Sequence, residues 1–130
     1  MPAIKVLLAD DEEGTLEIMA KRVSSAGYEA ITALDGKKAW EKIESENPDV
    51  VVLDLTMPKM DGWEVLRRVR EHDTGKKWRP VIIVSALSEM QNVRKGFDLE
   101  ADHYLAKPCR IEDIIKAIRL MVSLIPMRNH

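Results

Sequence analysis

The sequence predicts an α/β domain in which a parallel sheet is covered by helices on both faces. Three observations carry that prediction. Five short apolar runs with strand character alternate with segments whose apolar residues recur at helical spacing. Gly27 follows the first helical segment, and Pro48 and Pro80 precede the third and fourth strands, so the punctuation agrees with the division. Several of the apolar runs also end on a polar side chain instead of containing one. Strict strand–helix alternation with short connections implies right-handed crossovers, which put every strand's carboxyl end on one edge of the sheet.

The first strand is Lys5 to Ala9, and it runs into Asp10-Asp11. Leu16, Met19, Ala20 and Val23 give the first helix its apolar face. The second strand, Glu29 to Thr32, is followed by a helix marked by Ala39, Trp40 and Ile43. The third strand, Val50 to Leu53, is continuously apolar, the pattern of a strand buried on both faces. It ends at Asp54. A carboxylate does not belong inside such a strand, so Asp54 emerges at the carboxyl edge, where open α/β folds place their ligand sites. Val65, Leu66 and Val69 mark the third helix; the fourth strand, Val81 to Val84, delivers Ser85. Met90, Val93 and Phe97 make a weaker fourth helical pattern, with Ser88 and Gln91 spaced as a capping box. The fifth strand, His103 to Ala106, delivers Lys107. Ile111, Ile114, Ile115, Ile118, Val122 and Ile125 then form the clearest helical stripe of the chain.

At 130 residues the chain fits a single domain, 1–130, and is long enough to bury roughly two thirds of its unfolded surface. It has no linker, repeat or low-complexity stretch. Its 22 acidic residues nearly balance 20 Lys and Arg, and no basic stripe suggests direct contact with nucleic acid. The lone cysteine, Cys109, rules out an internal disulfide and fits a reducing compartment. Lys107 and Arg110 beside it favour a thiolate, but no His stands at a partner spacing, so a small buried or half-buried side chain is the ordinary reading. No apolar run approaches the roughly 18 residues of a membrane span, and no leader pattern opens the chain. A cytoplasmic protein with no membrane partner is expected.

Asp10, Asp11, Asp54, Ser85 and Lys107 all fall at strand ends, far apart in sequence and expected to converge on one rim. Each has an ordinary explanation when taken alone. A strand-end Asp is usually a turn former or helix cap, Ser85 a loop hydroxyl, and Lys107 a solvated charge. Their joint placement on four strand ends points elsewhere. Three crowded carboxylates repel unless a cation is present. Mg²⁺ suits them, being a hard ion held by carboxylates, waters and phosphate oxygens. A carboxylate is also a nucleophile toward phosphorus, forming an aspartyl phosphate, while an ammonium and a hydroxyl stabilise the phosphoryl oxygens.

These residues resemble the response-regulator receiver domain of two-component signalling over essentially the whole chain. Asp10-Asp11-Glu12 matches the family's acidic motif, and VVLDLTMPKMDGWEVLRRVR, with the preceding Val50, its phosphoacceptor strand, loop and third helix. VIIVSA matches its hydroxyl-bearing strand and ADHYLAKP its lysine–proline motif. The resemblance implies a flavodoxin-like, doubly wound five-stranded parallel sheet in the order 2-1-3-4-5 with five helices. It also implies a phosphorylation-activated receiver of a phosphorelay, not a turnover enzyme. Asp54 would take a phosphoryl group from a histidine kinase or histidine phosphotransfer protein. Asp11, Asp54 and the Thr56 carbonyl would ligate Mg²⁺ directly, and Asp10 through water. Lys107 would bind the phosphoryl group and the Asp54 carboxylate, Ser85 would move toward a phosphoryl oxygen, and Tyr104 would rotate inward behind it. Pro108 would follow a cis peptide. The switched face would be formed by the fourth helix, fifth strand and fifth helix, for an unknown downstream target. Three positions depart from the family pattern: Glu100 where Gly is common, Cys109 in place of a larger hydrophobe, and Arg110 in place of Asp or Asn.

Two other readings stay open at the level of sequence. A haloacid-dehalogenase-type phosphatase shares the strand-end Asp, Mg²⁺, hydroxyl and Lys. It wants an Asp two residues after its nucleophile, where Thr56 stands here. A degenerate receiver would keep the fold and bind a protein partner without a phosphorylation switch.

Overall fold

The computed structural model describes residues 3–88 and 101–128. Five strands form one parallel sheet: β1 (Lys5–Ala9), β2 (Glu29–Ala33), β3 (Val50–Leu53), β4 (Val81–Ala86) and β5 (His103–Lys107). Their order is β2-β1-β3-β4-β5. This is the flavodoxin-like arrangement that the resemblance implies. Four helices lie among the described residues: α1 (Glu13–Ser25), α2 (Gly36–Glu46), α3 (Gly62–Asp73) and α4 (Ile111–Arg128). The fourth helical pattern of the sequence, with Met90, Gln91, Val93 and Phe97, lies outside the described residues, as does Glu100. No helix among the described residues is long and apolar enough to cross a membrane.

Period-two alternation in the central strands sorts their side chains into two cores. Leu7, Val51, Leu53 and Ile83 face one layer with Val65, Leu66 and Val69 of α3 and Ile43 of α2. Val6, Leu8, Val52 and Ile82 face the other, with Leu16 and Val23 of α1 and Ile114 and Ile118 of α4. Both faces of β1, β3 and β4 are therefore dry, which is why these strands read as continuous apolar runs. The edge strands β2 and β5 are only partly buried and are accordingly more polar.

Three strands run further than the apolar runs suggest. β2 reaches Ala33, which pairs with Ala9. β4 and β5 stay paired through Ser85↔Ala106 and Ala86↔Lys107. Ser85 and Lys107 thus sit within the sheet ladder, not in loops after it. Backbone pairing is indifferent to side-chain polarity, so an apolar run underestimates a strand whose last residues are polar.

The opposite edge of the sheet is held by two polar clusters. The Asp102 carboxylate accepts from Arg70 Nη2 at 2.7 Å, from Val81 N–H at 2.8 Å and from Trp78 Nε1 at 3.0 Å. Arg79, only 1% exposed, places Nε 3.2 Å from Asp73 Oδ2 and donates from Nη2 to Asn47 Oδ1 at 2.9 Å. The Arg79–Asp73 pair is close enough for charge attraction but is not aligned as a hydrogen bond. Burial pushes the Arg79 guanidinium below its usual pKa, with Asp73 and Asp49 opposing that shift.

Candidate phosphoacceptor and metal site

The carboxyl edge of the sheet gathers the site. Hydrogen bonding continues one residue past β1 and β3, with Asp10 N–H on the Ala33 carbonyl at 3.2 Å and Asp54 N–H on the Ala9 carbonyl at 3.0 Å. Asp10 and Asp54 are therefore held side by side by backbone, and both are buried, whereas Asp11 is exposed. One carboxylate oxygen from each of the three comes within 4.8 Å of the others. That donor set is all hard oxygen and fits Mg²⁺.

Both oxygens of Asp54 are engaged. Oδ1 accepts from Ser85 Oγ at 2.9 Å and from Thr56 N–H at 3.0 Å. Oδ2 accepts from Lys107 Nζ at 2.8 Å, and the same ammonium lies 3.1 Å from Asp10 Oδ2. Asp10 Oδ1 accepts Glu12 N–H at 2.9 Å, just ahead of α1. Burial pulls the Lys107 pKa down, but its hydrogen bonds and attraction to Asp54 and Asp10 outweigh burial and leave it raised. Lys107 is thus a fixed positive charge between two carboxylates.

The loop after β3 closes tightly on Asp54. Asp61 caps α3, accepting Glu64 N–H at 2.9 Å, and the next residue, Gly62, donates its N–H to the Leu55 carbonyl at 3.0 Å. A Cβ on Gly62 would stand 2.5 Å from the Asp54 carbonyl oxygen, so only glycine admits this approach. Trp63 follows, buried, its indole N–H without a hydrogen-bond partner among the described residues. Thr56 itself is exposed.

Tyr104 is half-buried, packs on the α2–α3 side of the sheet, and its hydroxyl accepts Ala101 N–H at 2.9 Å. The Lys107–Pro108 peptide is cis. Cys109 is half-buried, and burial followed by Asp113 pushes its thiol pKa up against the opposing charge of Lys107. It is no activated nucleophile. A cavity of about 410 Å³ opens beside the site, with Asp10, Asp54 and Lys107 on its polar rim and Met19, Val52 and Ile114 among its apolar walls.

All five strand-end residues converge as the sequence predicts. The apolar pattern does not mark the two Asp-Gly steps at helix starts, Asp35-Gly36 and Asp61-Gly62. An N-cap residue followed by glycine ahead of a helical pattern is the signal that could have flagged them.

The family model of the response regulator receiver domain matches residues 6–119. The chain belongs to this family. It is 33% identical to the alkaline phosphatase synthesis transcriptional regulatory protein PhoP of Bacillus subtilis, over 96% of this chain and 54% of that protein. It is 34% identical to the response regulator MprA of Mycolicibacterium vanbaalenii, over 92% of this chain and 50% of that one. The receiver domain thus spans about half the length of these curated relatives. Among solved structures it is similar to the receiver domain of the Francisella response regulator 1452, with a TM-score of 0.80, 33% identity and coverage of 92% and 97%. The chemotaxis response regulator CheY4 of Vibrio cholerae also superposes with a TM-score of 0.80, at 28% identity and coverage of 92% and 99%. Receiver domains bind Mg²⁺ at an acidic cluster, and the Asp10–Asp11–Asp54 group is such a cluster.

Proposed function

We propose that this receiver accepts a phosphoryl group on Asp54 from a phosphohistidine and thereby switches a protein-interaction face. The observation that carries the reading is the separate engagement of the two Asp54 oxygens, Ser85 Oγ on one and Lys107 Nζ on the other. In the transfer, a carboxylate oxygen of Asp54 forms the new bond to phosphorus as the phosphorus–nitrogen bond to histidine breaks. The imidazole leaves with the bonding electrons and takes up a proton. Lys107 stabilises negative charge on the phosphoryl oxygens, and the Ser85 hydroxyl turns from the carboxylate to one of them. Asp11, Asp54 and the Thr56 carbonyl would hold Mg²⁺, with Asp10 reaching it through water. When bound, the ion neutralises charge on the transferring group.

The donor is a histidine kinase or histidine phosphotransfer protein, and we place the encounter in the cytoplasm. The receiver itself is assigned protein partners. Because relatives such as PhoP are named as transcriptional regulators, a DNA-directed output is proposed only for a longer protein that carries this receiver. Tyr104 and the fifth strand lead from the site toward the face we assign to the target.

Acetyl phosphate with Mg²⁺ tests the reading. One phosphoryl group per chain is expected, labile to hydroxylamine and absent from Asp54→Asn. An unlabelled parent that also ignores beryllofluoride would mark a constitutive binding module instead. Catalytic release of many equivalents of phosphate per chain from added substrate, instead of labelling of the chain alone, would mark a phosphatase.

A further inference from the structure

The phosphoacceptor loop touches a second helix on its way to α3. Gly36, the first residue of α2, packs so closely on the Pro58–Met60 turn that a Cβ at its position would collide with the Met60 carbonyl oxygen and stand 2.5 Å from the carbonyl carbon. The Met60 carbonyl and Cβ, not the far end of a flexible side chain, are in the way. Gly36 N–H donates to the Pro58 carbonyl at 3.4 Å, and Met60 N–H donates to the same oxygen at 2.8 Å. Lys59 Nζ lies 3.6 Å from Asp35 Oδ2, and Asp35 Oδ1 caps α2 through Lys38 N–H at 2.7 Å. That backbone N–H, against the effect of burial, holds the Asp35 carboxyl below its usual pKa, with Lys59 adding to the shift. At the middle of this corner Lys59 has φ of 69°, the left-handed region that side chains disfavour. Such a residue persists only where its surroundings over-determine it. Here the surroundings are the capped start of α2.

We propose that the Asp35–Gly36 corner positions the phosphoacceptor loop for phosphoryl transfer, making Gly36 a positioning residue of the site; this rests on Asp54 being the acceptor. Thr56, whose N–H holds Asp54 Oδ1, lies two residues before Pro58. At the other end of the loop, Gly62 N–H holds the Leu55 carbonyl. Pinned at both ends, the loop presents the Thr56 N–H and carbonyl at fixed places beside the carboxylate. Displacing the Pro58–Met60 end moves both. Misplacing a reacting group by an ångström costs on the order of 100-fold in rate.

Gly36→Ala separates positioning from packing. Alanine is the better helix former, and Gly36 does not occupy the left-handed region, so the helix itself tolerates the methyl group. Only the loop must move. In the folded variant, the Mg²⁺ dissociation constant from a Trp fluorescence titration is expected to rise about tenfold, as for lost supporting contacts of a metal site. Labelling by acetyl phosphate is expected to slow about 100-fold. Gly14→Ala adds a methyl group on exposed α1 with nothing within 4 Å, and should change neither. Should Gly36→Ala fail to fold, the exposed Lys59 decides. Both Lys59→Gly and Lys59→Val lose the Asp35 contact, but Lys59→Gly accepts the left-handed φ and stays near parental values, whereas β-branched Lys59→Val weakens Mg²⁺ binding and labelling together. A folded Gly36→Ala with parental Mg²⁺ affinity and labelling rate, whatever its stability, overturns the proposal, as does Lys59→Val behaving like Lys59→Gly. A parent that takes no label overturns this inference and the proposed function together; a labelled parent with unaffected variants overturns this inference alone.

Discussion

Lys107 Nζ donates to Asp54 Oδ2 at 2.8 Å across 53 residues of sequence. The contact exists because β5 stays paired with β4 through Lys107, so the ammonium is aimed by the sheet itself. Asp10 shares the same ammonium at 3.1 Å.

Removing that charge should hurt chemistry without weakening cation binding. Lys107→Gln is expected to slow acetyl phosphate labelling about 100-fold or more, as for loss of one donor to a developing oxyanion. Mg²⁺ should bind at least as tightly, since the competing ammonium is gone. A weakened Mg²⁺ dissociation constant would contradict this division of labour. The folded-state Lys107 pKa is raised above its ordinary 10.5, so its stabilisation is complete below that value and is lost as pH rises through the higher folded value. In metal-free urea melts, the stability gap between parent and Lys107→Gln should hold steady at neutral pH and close only in strongly alkaline buffer.

Metal affinity should rank the acidic residues. On the proposed ligand set, Asp11 and Asp54 would bind the ion directly and should matter more than Asp10, which would reach it only through water. Trp fluorescence titrations of Asp10→Asn and Asp11→Asn, with Trp63 one residue past Gly62 as reporter, should show the larger loss for Asp11→Asn. Equal losses would refute the ranking.

The lifetime of the aspartyl phosphate should depend on Thr56 and Leu87. Hydrolysis needs a water in line with the phosphorus–oxygen bond to Asp54. Thr56 is exposed beside it, and Leu87, 55% exposed and two residues after Ser85, offers no hydrogen bond. Thr56→Asn with Leu87→Glu should speed dephosphorylation in Mg²⁺ buffer, since placing a reactant well is worth on the order of 100-fold. A double variant that decays no faster than the parent would show that other groups control the attacking water.

On the edge away from the site, the buried Arg79–Asp73 pair should be costly to halve. Arg79→Met leaves the Asp73 carboxylate buried without its guanidinium and should destabilise by about 3–5 kcal/mol. Arg79→Met with Asp73→Leu removes both charges and should recover much of that loss. Urea denaturation of the two singles and the double decides it; strictly additive losses would mean that the pair is not coupled.

The strand ends were legible because burial writes itself into sequence. Val50 to Leu53 is apolar without interruption only because both faces of β3 are covered, and the first polar residue after it marks where cover stops. The same logic located Asp10, Ser85 and Lys107. Strand lengths at Ser85 and Lys107 were underestimated, because backbone pairing there outlasts the apolar side chains. The sheet order, by contrast, came from family resemblance, since no apolar run records its neighbour.

By itself, then, the sequence determined the element types of the described residues, the two-sided core and which side chains reach the carboxyl rim of the sheet, all consequences of local periodicity and hydrophobic burial. Only the tertiary structure decided what each side chain touches there: that Lys107 bridges Asp54 and Asp10, that Ser85 and Thr56 share one oxygen of Asp54, and that Gly36 seats the Met60 carbonyl. Those contacts join residues on different elements, with geometry set by strand order, crossover and the close approach of two backbones. Composition and spacing along one chain carry no record of such distances.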